Sequence, residues 1–388
     1  MRCMVSLLVV LLFLTLSPSC NGSNDMLLDD NLEKDPSLMG WVYEEGPDPA
    51  ATYVPEGRFG SHCLSYREGT WTTPAIRVKP FEFYRVTFYS KAEARQYWSA
   101  YYYNDKGEHL VADHYWSIDP SEEWTKTVYC TRARYGATHV RIRFSPLDRK
   151  LLSVDDVKVE AISRADATKW ADEMYASIPP VKYEADPNRW KYLPRTMNKL
   201  RDGKPVRIVI LGDSIANDTG NGPFDLFIER MYPGAHVEVI ASVKGGAGTH
   251  YYKDENRVQQ YVVDYKPHLL IIAGISNGSK EATRSVIKQV RAKIDPEIII
   301  ATGAVCRGSD PTTNKDWGFE LRGGYRKDLK DLVQEEQCEF IDFYGPWGRY
   351  IADSGRPLEW FQRDVTHANM RGALVLSKIL EGYFAPKK

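Results

Sequence analysis

The rhythm of apolar and polar positions changes near residue 163 and divides the chain in two. Before that point the two kinds alternate with period two in "YRVTFYSKA" (84–92), "YWSAYYYN" (97–104), "HVRIRFS" (139–145) and "LSVDDVKVEA" (152–161). That period marks strands with one buried face. Asn104-Asp105-Lys106-Gly107 supplies a hairpin-like turn. Short strands at regular spacing predict an all-β sandwich over residues 36–163. From Arg164 to Gly203 the period becomes helical, in "ADATKWADEMYASI" (165–178) and "LPRTMNKLRDG" (193–203), with the Pro-containing "PPVKYEADPNRW" between them. This segment, 164–203, reads as a helical connector that straps the halves together.

Beyond Val206, continuous apolar runs take over: "VRIVILG" (206–212), "HVEVIAS" (236–242), "HLLIIAG" (268–274), "EIIIATGAV" (297–305) and "EFIDFYG" (339–345). Helical periods lie between and after them, near 222–232, 251–265, 279–293, 321–336 and 368–384. Apolar strands alternating with helices predict an α/β unit, residues 204–388, with a parallel sheet covered on both faces. In such sheets the working groups gather at the carboxyl ends of the strands.

Composition narrows the picture. A chain of 388 residues has room for two domains, and 43% hydrophobic residues are enough for sizeable cores. The formal net charge is −1 and no run of Lys and Arg occurs, which argues against nucleic acid as a partner. The opening "MRCMVSLLVVLLFLTLSPSC" has one Arg, an apolar run from Met4 to Leu16 and then small residues. It reads as a secretory signal over 1–20, too short for a good membrane span. Ser17 and Ser19 suit ordinary cleavage before Cys20. A Cys just after the cut equally resembles a bacterial lipoprotein box, which would lipidate Cys20 and attach the protein to a membrane. The protein is therefore expected to be secreted, periplasmic or a cell-surface lipoprotein.

Of six cysteines, Cys63 and Cys130 lie in predicted strands of the first half, where an exported protein could form a disulfide. Cys306 and Cys338 fall at opposite edges of the parallel sheet and are expected to be free and packed. No Cys/His spacing suggests a metal site, and no cofactor is expected.

Four strand-end loops carry the candidate chemistry. The first strand ends on Gly212-Asp213-Ser214, the second near "ASVKGGAGTHYY" (241–252) and the third at "AGISNGS" (273–279), while "RDVTHAN" (363–369) precedes the last helix. A hydroxyl, glycine amides, a carboxamide and an Asp-x-x-His pair match the needs of acyl transfer. A serine hydroxyl is a weak nucleophile until a base takes its proton, and His367 can serve. Asp364, three residues earlier, can fix the tautomer of His367. An oxyanion needs donors, and the N–H groups of Ser214 and Gly248 with the Asn277 amide provide three. Lys244, Thr249, His250 and Trp317, in nearby loops, look suited to a hydroxylated substrate. Asn217-Asp218-Thr219 and Asn277-Gly278-Ser279 match the glycosylation pattern. Glycans there would block the site, in line with a bacterial source.

These motifs, in this order, resemble the SGNH or GDSL hydrolase superfamily, over about residues 190–388. The resemblance implies a flavodoxin-like three-layer α/β fold. It also implies a triad of Ser214, Asp364 and His367, with an oxyanion hole of Ser214, Gly248 and Asn277. The third block departs from the usual Gly-x-Asn-Asp: in "GISNG" the Asn comes one place late, so Ser276 could stand where the amide is expected. Gly245 and Gly246 are alternatives to Gly248 in the second block. The first half, with Trp41, "YRVTFYSKA" and the closing "VDDVKVE", resembles jelly-roll carbohydrate-binding modules. Tyr97, Trp98, Tyr101, Tyr103, Tyr115 and Trp116 are candidates for stacking on sugar rings, although for any one of them packing in the core or rim of the sandwich is the preferred reading. The pairing implies an exported carbohydrate esterase that deacetylates a polysaccharide or oligosaccharide. A lipase, arylesterase or thioesterase of the same fold, or a catalytically degenerate sugar-binding surface protein, are the alternatives.

Overall fold

The computed structural model describes residues 25–387, except 59, 61, 111–113, 255, 305–309, 316, 319 and 322–323. The signal segment, Cys20 and Cys306 lie outside the described residues.

Among the described residues, twelve strands build the first half: β1 (Asp25–Asp30), β2 (Val42–Glu44), β3 (Tyr53–Val54), β4 (Cys63–Tyr66), β5 (Thr70–Thr72), β6 (Ile76–Arg77), β7 (Phe83–Ala92), β8 (Gln96–Tyr103), β9 (His114–Ile118), β10 (Ser121–Arg132), β11 (His139–Ser145) and β12 (Leu152–Ile162). They form two antiparallel sheets. One runs β10-β7-β12-β4-β3 with β1 also on β12, the other β2-β5-β11-β8-β9 with β6 also on β11. The four strands read from alternation fall within one residue of β7, β8, β11 and β12. The turn after β8 forms as expected: Gly107 N–H donates to Asn104 O at 3.1 Å, and Gly107 takes φ +75°. Between the sheets lies an aromatic core that includes Trp41, Trp71, Phe88, Trp98, Trp116, Tyr129 and Phe144.

The alternation that predicted strands also decided which aromatics are inside. Trp98 and Trp116 are each 1% exposed, so neither is a sugar platform. The Tyr101 ring is already covered, by His109 stacked at 4.8 Å and by the Arg143 guanidinium at 4.3 Å. Cys63 and Cys130 are both free and buried. The disulfide considered for them is absent, and burial pushes both thiols up to about 12. Cys338 is free and buried, as expected.

The second half carries five parallel strands, β13 (Val206–Gly212), β14 (Val237–Val243), β15 (Leu269–Ala273), β16 (Glu297–Ala301) and β17 (Glu339–Ile341), in the order β14-β13-β15-β16-β17. The α-helices among the described residues are ten: α1 (Arg164–Ala176), α2 (Pro194–Arg201), α3 (Ser214–Asn221), α4 (Phe224–Met231), α5 (Thr249–Tyr252), α6 (Arg257–Tyr261), α7 (Lys280–Arg291), α8 (Gly324–Glu335), α9 (Tyr344–Asp353) and α10 (Met370–Phe384). The strands read as unbroken apolar runs because both faces are covered; every residue of β15 is buried.

Three elements differ from the sequence reading. The helix expected over 222–232 forms as α4, which begins after Pro223, but the short helix α3 over Ser214–Asn221 was not expected. The helix expected over 251–265 breaks into α5, α6 and a 3-10 turn, Val263–Tyr265. The strand expected over 339–345 stops at Ile341, because the Asp342 carboxylate accepts the Gly345 N–H at 3.2 Å and starts α9.

Buried carboxylates join the connector to the amino ends of the sheet. Helix α2 has no side-chain cap of its own. Glu297, at the start of β16, accepts the N–H groups of Arg195 and Thr196 at 2.8 and 2.7 Å. Glu339, at the start of β17, accepts Tyr192 N–H at 2.8 Å and the Tyr383 hydroxyl at 2.9 Å.

At the carboxyl end of β13, Gly212 is there for lack of space. A Cβ at this position would lie 2.0 Å from the carbonyl oxygen of Ala273 on β15. Gly212→Ala is therefore expected to destabilise the fold by about 1–3 kcal/mol through overpacking. The check is a lowered urea midpoint at unchanged slope; an unchanged midpoint would show that the strands part without strain.

Candidate active site

Ser214 reaches the surface because of the residue before it. Asp213 leaves β13 in extended backbone and becomes the N-cap of α3, its Oδ1 accepting the N–H groups of Ile215 at 3.0 Å and Ala216 at 3.3 Å. The cap uses those amides and leaves the amide of Ser214 at the open first turn of the helix. The other carboxylate oxygen accepts Ile275 N–H at 2.9 Å and Ser276 N–H at 2.8 Å. One buried aspartate thus joins the first and third strand-end loops. The close approach requires glycine at 274: φ there is +112°, and a Cβ would meet Asp213 Oδ1 at 2.4 Å. The second loop is drawn in by the Tyr252 hydroxyl, which donates to Gly212 O at 2.6 Å.

Gly248 packs against the third loop so tightly that a Cβ would sit 1.8 Å from Ser276 O and 2.9 Å from Ser276 Cβ. Asn277 is placed otherwise than expected. It is 1% exposed; its Oδ1 accepts Thr249 N–H at 2.9 Å and its Nδ2 donates to Ala273 O at 2.6 Å. The carboxamide is held at both ends as a tie between loops. Ser276, half-buried, stands beside Gly248 and donates its N–H to Asp213.

The fourth loop closes on itself before α10. Arg363 N–H donates to His367 O at 3.0 Å, and Gln362 bridges to Ala368. Within this bend Asp364 Oδ1 accepts the N–H groups of Thr366 and His367, both at 2.8 Å. The His367 ring lies between two partners: Nδ1 is 2.8 and 2.9 Å from the Asp364 carboxylate oxygens, and Nε2 is 2.8 Å from Ser214 Oγ. A carboxylate on Nδ1 keeps the proton there and leaves Nε2 as acceptor for the serine hydroxyl.

Burial by itself would raise the Asp364 carboxyl. The bonds from the His367 ring and from the two backbone amides outweigh it and hold the group at about 2, against an ordinary 3.8. A lowered native value contributes stability that is present above pH of about 4 and is lost as the pH falls through about 2. A full shift of that size would correspond to about 2 kcal/mol. The Asp364 side chain is 36% exposed, so screening reduces the contribution to about 1 kcal/mol. Asp364→Asn is expected to lose that amount at pH 7, with the gap from wild type closing as the pH approaches 2. Urea titrations across the range check it, and a gap that stays constant with pH would refute the assignment.

Behind the triad-like chain lies a buried ion pair that no local pattern signals. Asp218, on α3 four residues after Ser214, is 2.8 Å from Arg363, with side chains 2% and 7% exposed. Arg363 Nη1 also donates to Ala368 O at 2.6 Å, and Asp218 Oδ2 accepts Ala368 N–H at 3.0 Å. Burial pushes the Asp218 carboxyl up, while Arg363 pulls it back.

The remaining loop residues divide between buried and exposed. Trp317 is buried and stacked on Tyr344 at 4.2 Å. Thr249 is fully buried, with its hydroxyl on Thr283 at 3.1 Å. His250 and Lys244 are exposed, Lys244 lying 5.3 Å from the Tyr251 ring. Asn217 and Asn277 are 7% and 1% exposed, so neither sequon presents its amide to a glycan. Among the described residues, no group of three His, Cys, Asp or Glu side chains is placed to hold a metal ion.

No family model matches the chain, and no curated protein matches it at a significant level. Solved structures do. A two-domain esterase active on acetylated mannans shares 14% identity, covering 51% of this chain and 54% of its own, at a TM-score of 0.39. An acetyl xylan esterase shares 17% identity, covering 45% of this chain and 97% of its own, at a TM-score of 0.33. A xylan-binding domain from Paenibacillus barcinonensis shares 12% identity, covering 36% of this chain and 97% of its own, at a TM-score of 0.29. All three likenesses are faint, and the chemistry of this chain rests on its own residues.

Proposed function

We propose that this chain is an exported serine esterase of SGNH type that removes acetyl groups from a carbohydrate polymer. The observation that carries the reading is the chain of contacts from Asp364 through His367 to Ser214 Oγ, at the carboxyl edge of the parallel sheet. The strand order, second-first-third-fourth-fifth, is the flavodoxin-like one and supports the fold assignment. We divide the chain accordingly into a jelly-roll-like sandwich (the expected 36–163, extended back to Asp25 because β1 pairs with β12), a connector (164–203) and a hydrolase domain (204–388).

In this reaction Ser214 Oγ attacks the ester carbonyl while His367 Nε2 takes its proton. Asp364 stabilises the imidazolium. The carbonyl oxygen becomes an oxyanion facing the amides of Ser214 and Gly248. We assign the third donor to the Ser276 hydroxyl instead of Asn277, whose amide is already tied to two loops. Collapse of the intermediate expels the sugar oxygen, which receives the proton from His367. Water, deprotonated by the same nitrogen, then attacks the acetyl-serine, and acetate leaves as Ser214 recovers its proton.

The openness of the site favours a polymer. The His367 side chain is 24% exposed and that of Asp364 36%, whereas small-ligand sites enclose most of their ligand. Export fits a polysaccharide outside the cell. The test is acetate release from acetylated xylan, pectin and mannan, wild type beside Ser214→Ala. Release by wild type alone supports the reading. A preference for long acyl chains in an ester series would replace it by the lipase reading.

A further inference from the structure

The sandwich does more than lie beside the hydrolase half. Its two ends fasten the two halves of the proposed triad. At one end, beside the turn between β7 and β8, Tyr97 Oη donates to Arg363 O at 2.8 Å and Arg95 Nη1 donates to Gln362 O at 3.1 Å. Both carbonyls belong to the bend that holds Asp364 and His367. On the same side, Asp119 pairs with Arg371 of α10 at 3.0 Å. At the other end, where β10 finishes, its last residue Arg132 donates from Nη2 to Gly220 O at 2.7 Å, and Arg134, just beyond, donates to the side chains of Asn217 and Asn221. Those three residues lie on α3, the helix that begins with Ser214.

The fastening at the Ser214 end is buried and charged. Arg132 is 2.6 Å from Asp225 of α4, with side chains 6% and 0% exposed. Arg164 of the connector reaches the same aspartate at 3.0 Å and Glu229 at 2.8 Å. Charges this deep are costly to separate, so the two halves do not part easily. A tethered binding module would need none of these bonds. Its contacts would be few, and none would converge on the backbone that carries the nucleophile and the base.

We infer that the sandwich is a clamp on the reacting groups, and that Tyr97 is a positioning residue which sets His367 against Ser214 through the carbonyl of Arg363. Tyr97 is the best single probe because its hydroxyl makes one bond to that bend and its removal leaves the ring. Burial and the nearby Asp364 carboxylate both raise the Tyr97 hydroxyl, so it stays protonated and donating. A base displaced by a fraction of an ångström transfers protons poorly, while ground-state binding of a small ester is little affected. The kinetic arm of this inference rests on the esterase reading; the geometric arm does not.

The test compares Tyr97→Phe with Tyr53→Phe in the full chain. Tyr53 is an equally half-buried sandwich tyrosine whose hydroxyl donates to Leu32 O at 2.8 Å, in no contact with the 363–368 bend. For Tyr97→Phe, kcat on a small soluble acetyl ester is expected to fall about tenfold with KM within about twofold. The downfield proton resonance of His367 Nδ1, identified by its absence in His367→Asn, is expected to broaden or vanish. Tyr53→Phe keeps both at wild-type values. The clamp is refuted if Tyr97→Phe retains wild-type kcat and resonance, or if both tyrosine variants lose them alike. A wild type that cleaves no ester sinks the esterase reading, and the resonance still decides the clamp. Should Tyr97→Phe not fold, Arg95→Gln, which weakens the neighbouring bond to Gln362, is read by the same two signals.

Discussion

Replacing Ser214 by alanine is expected to lower ester turnover by on the order of 10⁴- to 10⁶-fold while leaving the fold intact. The magnitude follows from what is removed. Without Oγ there is no nucleophile, and His367 has nothing from which to draw a proton; what remains is substrate binding and the oxyanion donors, which still help water attack. The unchanged fold has its own reason. The hydroxyl of Ser214 meets His367 Nε2, whereas α3 is capped by Asp213, which takes the amides of Ile215 and Ala216. Removing the hydroxyl therefore costs one partly exposed hydrogen bond, about 1 kcal/mol or less. Acetate release beside a thermal melt checks both halves. Retained turnover would mean that another group attacks, and lost turnover together with lost folding would leave the serine's role unseparated from structure, so the melt is read first.

The second large effect is expected one layer behind the reacting atoms. Arg363→Met leaves the Asp218 carboxylate buried without its partner, and breaking a buried pair in this way costs about 3–5 kcal/mol. That is a large share of the roughly 5–15 kcal/mol that holds a domain together. The pH dependence has a definite sign. Asp218 is already raised by burial and lowered by Arg363. Losing Arg363 raises it further, and a raised native carboxyl makes the fold less stable as pH increases. The deficit of Arg363→Met should therefore narrow as the pH is lowered through the raised value of Asp218, where the buried carboxyl takes up a proton. A second change, Asp218→Asn, removes the stranded charge and is expected to recover about half of the loss at neutral pH. Turnover should fall as well, because the pair also holds Ala368, the residue after His367. Urea titrations of the single and double variants decide the matter; additive losses would show that the two side chains do not act as a pair.

The reach of sequence reasoning in this chain follows the range of the interactions involved. Strands β7, β8, β11 and β12 were legible to within a residue because a two-residue period is a local consequence of one buried face. The strand-end loops were legible because parallel strands announce themselves as apolar runs, and whatever follows a run stands at an edge. The Asp-x-x-His bend was legible too, since its four residues fold on themselves. The aromatic residues were legible only in part, for a related reason. Alternation says that one face of a strand is buried but not which partners cover the other, so the six aromatics could be read as core or as sugar platforms, core being preferred, and only the structure placed Trp98 and Trp116 in the core. The early end of the strand at Ile341 turned on a single residue, Asp342, which outweighed the apolar pattern around it.

The amino-acid sequence by itself determined the order of elements, the position of a serine at the end of the first parallel strand, and the pairing of Asp364 with His367. These need only neighbours along the chain. The meeting of His367 with Ser214 spans 153 positions, that of Arg363 with Asp218 145, and that of Tyr97 with Arg363 266. Nothing in a local pattern carries such information, because each bond depends on where two separately folded layers come to rest. The same holds for Asn277, whose residue type suits a donor in the site and whose burial made it a tie between loops. Tertiary packing decided which polar groups face the open edge and which are used to hold it in place.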